Sequence, residues 1–159
     1  MLFENGKYSV NKKSLIIKYL LALGWLVVIF SLSNEPAALS SARSDTILHT
    51  VQSINISFFH NATEFIIRKS AHLSAYFILG MLLFSLVSEY RFSTKRMIIF
   101  SIFLSAAYAC TDEIHQLFVL GRTGQPRDVL IDTIGATIGI FVCFMLYARI
   151  KRLSQTSNV

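Results

Sequence analysis

Four runs of about 20 mostly apolar residues dominate this chain, and each has the length that crosses a bilayer core of about 30 Å at about 1.5 Å of rise per residue. They cover about Leu15 to Ser33, Ile66 to Tyr90, Met97 to Val119 and Val129 to Ile150. Lys18 interrupts the first run near its entrance, where a long side chain can snorkel. The second is polar at its start and apolar from Phe77 to Val87, while the third is apolar until Tyr108 and then turns ionisable. Lipid satisfies no backbone groups, so such runs must be helices. The expected fold is an all-α integral membrane four-helix bundle, one domain over residues 1–159.

Composition agrees. Only 15% of the 159 residues are charged and 53% are hydrophobic, against about 25% charged in a soluble domain. The 7 Gly, 2 Pro and 2 Cys exclude collagen, a disordered tail and a disulfide scaffold. A net charge of +6 carries no basic soluble face, so nucleic acid is not an expected partner. The basic residues instead give topology. Ten of them (Lys7, Lys12, Lys13, Lys18, Arg91, Lys95, Arg96, Arg149, Lys151, Arg152) fall at the two ends and the short turn, and five (Arg43, Arg68, Lys69, Arg122, Arg127) in the other two loops. Positive-inside counting therefore expects both termini in the cytoplasm of a multi-pass protein of the cell membrane.

The first run also resembles a signal peptide, but it is long for one and Pro36-Ala37-Ala38 makes an indifferent cleavage site. Cys110 and Cys143 lie inside spans and read as small apolar fillers. In the first outer loop Ile47, Leu48, Val51, Ile54 and Phe58 recur at helical spacing. An amphipathic helix on the outer leaflet explains this, as does a helix packed across the mouth of the bundle. Asn61 and Glu64 resemble a capping box, which starts the second helix before the membrane surface. Asn55-Ile56-Ser57 and Asn61-Ala62-Thr63 are formal sequons, and His49 and His60 read as ordinary loop histidines.

The ionisable residues of the last three spans gather at their outer ends. Lys69, His72 and Tyr76 share a face of the second span; Asp112, His115 and Gln116 share one on the third, with Glu113 about 100° around. Arg127 and Asp128 open the fourth, with Asp132 one turn deeper, after a tight loop from Leu120 to Pro126 whose glycines ease backbone turns. Counting from a helix end at Val119, Asp112 lies on the order of 10 Å below the outer surface, and Asp132 and His72 roughly 5 Å. Three helices can then face one polar pocket. Intramembrane ionisable groups are costly and mark function by default. Pairing of Lys69, Arg122 and Arg127 with the acids is the architectural alternative. Gly135-x-x-x-Gly139 marks a close helix contact.

The pattern Arg68-Lys69-x-x-His72-x-x-x-Tyr76, Tyr108-x-x-x-Asp112-Glu113-x-His115-Gln116-x-Phe118, Gly121-Arg122, and Asp128-x-x-x-Asp132-x-x-Gly135-x-x-x-Gly139 resembles the VanZ-like family. The resemblance covers roughly residues 65 to 145, and more loosely the first span with Phe30-Ser31. It implies a small polytopic bacterial membrane protein of the cell envelope, linked to resistance against the glycopeptide teicoplanin. Ala75 stands where many relatives carry Glu, and Leu120 where Pro commonly precedes Gly-Arg. The first departure weakens any scheme that needs an acid on the second span.

Three functional classes follow. In the first, the pocket binds or translocates an anionic lipid headgroup such as that of a lipid-linked cell-wall precursor. Arg122 and Arg127 would hold phosphate oxygens, Lys69 would act as a point charge, and Tyr76, Gln116, Asp128 and Asp132 would complete the binding set. In the second, an intramembrane hydrolase or transferase uses His72 or His115 as base and Asp112 or Glu113 as acid, although no nucleophile motif is present. In the third, a noncatalytic envelope protein binds another membrane component. His72, Asp112, His115, Asp128 and Asp132 also offer nitrogen and oxygen ligands suited to zinc or manganese, without fixing a cofactor.

Overall fold

Among the described residues four long helices carry the fold: α1 (Lys12–Ser33), α2 (His60–Val87), α3 (Thr94–Gln116) and α4 (Pro126–Thr156). The computed structural model describes residues 12–42, 46, 60–90 and 92–156, without the side chains of 60–65 and 154–156. All four helices are long and apolar enough to cross a membrane, and no strand occurs among the described residues. The loop residues Ile47, Leu48, Val51, Ile54 and Phe58 and the side chains of Asn61 and Glu64 lie outside the described set.

The helices run up and down in sequence, so α1 lies parallel to α3 and α2 to α4. Parallel α2 and α4 form the most extensive interface. A Cβ added at Gly135 would sit 2.5 Å from the Leu73 carbonyl oxygen, one at Gly139 2.0 Å from that of Phe77, and one at Gly80 2.1 Å from that of Ala136. Backbones this close admit only glycine. This matches the close helix contact expected from Gly135 and Gly139, and Gly80 supplies the facing small residue.

α2 is the most buried span and α1 the least, with 39% and 11% of their apolar windows inside the protein. Residues such as Leu20, Leu23 and Val27 point outward, as expected of a helix whose remaining surface meets lipid. Polar contacts tie α1 in, three of them in its C-terminal half. Trp25 Nε1 donates to the Ala75 carbonyl at 2.8 Å, the Tyr108 hydroxyl donates to the Leu26 carbonyl at 2.7 Å, and Ser33 reaches α3. One apolar cluster centres on Ile29, Tyr76, Leu79, Leu83, Ala109 and Ala136, and a second on Phe84, Val87, Met97 and Ile140. Cys143 packs against the second cluster as a small apolar filler, whereas Cys110, also inside a span, is exposed on the bundle surface and fills no gap.

α3 ends at Gln116, short of the expected Val119. Leu117, Phe118 and Val119 instead bond three residues back, to Ile114, His115 and Gln116, the tighter winding common at helix ends. Asp112 is thus one turn, about 6 Å along the axis, from the end of α3. The loop then turns at Gly121, whose φ of 75° lies in the left-handed region that glycine enters freely. α4 starts at Pro126, where a missing N–H costs nothing.

Candidate functional site

The parallel packing of α2 and α4 sets their polar residues in register. Lys69 Nζ donates to Asp128 Oδ2 at 2.5 Å. One step deeper, His72 Nδ1 lies 3.6 Å from Asp132 Oδ2, an ion-pair distance too long for a hydrogen bond. Leu73 against Gly135 and Phe77 against Gly139 continue the ladder below. Two polar rungs therefore stand on two glycine rungs.

α3 brings Asp112 to the same level. Its Oδ2 accepts from Ser33 Oγ at 2.9 Å and from Gln116 Nε2 at 3.3 Å. His72, Asp112 and Asp132 each present a nitrogen or oxygen within 4.8 Å of the others. Asp112 is 2% exposed and Asp132 1%, and each retains an oxygen, Oδ1 and Oδ2 respectively, without a hydrogen-bond partner. Tyr76 is fully buried one turn below His72, and its hydroxyl also lacks a partner. Buried acceptors are normally satisfied, so this concentration marks a built polar centre.

Glu113 and His115 lie elsewhere. Glu113 is buried toward the α3–α4 loop, where its Oε2 accepts the Gln125 backbone N–H at 2.8 Å. The His115 ring packs on Phe30 with centroids 4.5 Å apart, and its Nε2 lies 3.2 Å from Asn34 Oδ1. It faces the end of α1 and lies outside the group formed by His72, Asp112 and Asp132. The two histidines named as alternative bases thus occupy different surroundings.

Arg122 is largely committed to the fold. Nε donates to the Glu35 carbonyl at 2.8 Å and Nη2 to that of Leu32 at 3.2 Å, so the guanidinium caps the C-terminal end of α1. This leaves one nitrogen of its fork, and the paired Nε/Nη2 grip expected for a phosphate is already occupied. Among the described residues no carboxylate pairs with it. Burial holds its pKa below the ordinary value, and the nearby Arg68 guanidinium pushes the same way. Arg127 is exposed, with Nε 3.8 Å from Asp128 Oδ1.

Two adjoining cavities open at this end. The polar one is lined by Lys69, Gln116, Thr123, Gln125, Arg127 and Asp128 among others. The other is a mainly apolar groove between α1 and α2, lined by Ile29, Leu32, Ile67, Ala71 and Ala75. Arg68, His72 and Arg122 line both. Ala75, the position of the missing acid, is groove wall.

Sequence reasoning assigned no site role to three contributors: Arg68, although it stands in the family motif, Ser33 and Gln125. Arg68 carried a legible signal, because 68, 72 and 76 follow i, i+4, i+8 spacing on α2. Ser33 and Gln125 act through contacts set by tertiary packing, which no local pattern marks.

No curated protein and no solved structure gives a match to the chain. The family model described as VanZ/LLP1 matches residues 17–147, which reach into all four spans. With the polar ends of α2, α3 and α4 all inside that match, the chain belongs to the VanZ/LLP1 family.

Proposed function

We propose that this VanZ-like membrane protein sits in the bacterial cell envelope with both termini cytoplasmic, and binds an anionic, lipid-linked cell-wall precursor at the outer leaflet. The observation that supports this reading is the sharing of Arg68, His72 and Arg122 between a polar pocket and an apolar groove. A molecule with a charged head and a hydrocarbon tail is the ligand class that fills both. The phosphate would meet Arg68, Arg127 and the remaining Arg122 nitrogen. An anion there also relieves the crowding of two like-charged guanidiniums. Sequestering or presenting such a precursor would connect the chain to glycopeptide resistance, teicoplanin included.

The test is binding of farnesyl phosphate, against farnesol, to the purified chain in mild detergent. The phosphate should bind at least about tenfold more tightly, and Arg68→Ala should remove that preference, a difference of about 1.4 kcal/mol. Equal affinity for both probes overturns the reading. Expression of the chain in a susceptible bacterium should raise its tolerance of teicoplanin, and Arg68→Ala should abolish the rise.

One observation favours a second reading, an intramembrane hydrolase or transferase: a histidine and two carboxylates converge beside the head pocket. Under that reading Asp112→Ala retains lipid association and loses turnover.

A further inference from the structure

We infer that His72, Asp112 and Asp132 form a binding site for one divalent transition-metal cation, of the zinc or manganese type. Three helices supply one ligand atom each, all mutually within 4.8 Å. In a tetrahedral zinc site with bonds of about 2.0–2.1 Å, ligand atoms stand about 3.3 Å apart. His72 Nδ1 and Asp132 Oδ2 are already at 3.6 Å, so closure on a cation needs only small side-chain rotations.

The surroundings argue for a ligand in addition to the cluster itself. Asp112 Oδ2 is held by Ser33 and Gln116 while Oδ1 has no partner. That is the arrangement in which outer residues orient a carboxylate and leave one oxygen for a metal. Asp132 Oδ2, 99% buried by its 1% exposure, is likewise without a hydrogen bond. Independently of the three ligands, the wholly buried Tyr76 hydroxyl has no partner, and its foremost charged neighbours are Asp112 and Asp132. It is placed to bond a water on the cation or an oxygen of a bound anion.

Charge and donor type select the ion. Two carboxylates with a neutral imidazole carry −2, which a dication balances. One nitrogen with oxygens suits zinc or manganese, whereas magnesium and calcium favour oxygen alone. Three protein ligands leave at least one coordination position open, as in exchangeable catalytic sites and unlike closed structural ones. Lys69 and Asp128 pair with each other one turn nearer the surface, and Asp128 is excluded from the set.

The test needs no lipid, so its failure is distinct from failure of the lipid reading. The full chain, purified in mild detergent and stripped with a chelator, is titrated with manganese chloride while the free-ion paramagnetic resonance signal is followed. One manganese per chain should bind, be displaced by zinc and resist excess magnesium. Asp112→Asn and Asp132→Asn should each weaken it by more than about 100-fold, and Ser33→Ala by roughly 10–100-fold, the range for a residue behind a ligand. Glu89→Gln, at the opposite end of the bundle, should bind like the parent. Pulsed resonance should show a histidine nitrogen on the bound ion that His72→Gln removes; this stands even if an aspartate variant misfolds by circular dichroism. No saturable binding, or equal binding in folded His72→Gln, overturns the inference.

Discussion

The bundle has a polar cluster at each end of α2, and the two are built in opposite ways. Around the 88–93 turn, Glu89 accepts from Ser14 Oγ at 3.2 Å and from Lys18 Nζ, which also reaches the Ser85 carbonyl at 3.1 Å; Tyr19 and Tyr90 share a hydroxyl–hydroxyl bond. Those groups are part-buried or exposed, and each finds a partner. Around the α3–α4 loop, Asp112, Glu113, Asp128, Asp132 and Tyr76 each keep a buried oxygen without one. A cluster that only fastens helices satisfies its own groups. One that receives something from outside must keep acceptors open, at a cost in stability.

Substitutions can break that comparison. The largest effect is expected at Lys69→Ala, which strands the buried Asp128 carboxylate and should cost about 3 kcal/mol in thermal or denaturant unfolding in detergent. The paired change Lys69→Met with Asp128→Leu should recover most of it, since a largely buried ion pair is often matched by a well-packed apolar one. Next comes Gly139→Ala, whose new methyl meets the Phe77 carbonyl; overpacking of this kind costs about 1–3 kcal/mol. At the other end, Glu89→Gln should cost under about 1 kcal/mol, as expected of a partly exposed pair. If Glu89→Gln proved as damaging as Lys69→Ala, the contrast between the ends would collapse.

The smallest effect is in pH. The hydrogen bond from Lys18 holds the Glu89 carboxyl below its ordinary pKa. That stabilisation is present above the unfolded-state value and is lost as pH falls through the folded one. Tyr90 is shifted upward, first by its bond to Tyr19, so its contribution is complete below the unfolded tyrosine value and fades as pH rises through the folded one. The acid-side decline in melting temperature should be shallower in Glu89→Gln, and the alkaline one in Tyr90→Phe.

The fold was legible because lipid leaves a chain few options. Four apolar runs forced four helices, and Gly135-x-x-x-Gly139 announced which face of α4 would be approached. Helix ends were less so: the tighter winding after Gln116 and the start at Pro126 depend on hydrogen bonds that hydropathy does not encode. At the site, spacing alone brought His72, Asp112 and Asp132 to similar depth, and the structure joins them. His115 shares a face with Asp112 by spacing, yet a helix face is wide, and Phe30 and Asn34 take it toward α1. Arg122 read as a phosphate ligand because its use as a cap for α1 involves carbonyls 87 and 90 residues away.

The glycines of α4 carry a consequence for how this chain tolerates change. Gly139 is seven residues from Asp132, about 10 Å along the axis, and it touches no polar group of the site. Yet the contact it permits with Phe77 fixes the separation of α2 and α4, and with it the span between His72 and Asp132. A mutational scan scored on ligand capture would rank this side-chain-free position beside the acids. The calibration of the polar centre is held by residues that contribute no chemistry of their own.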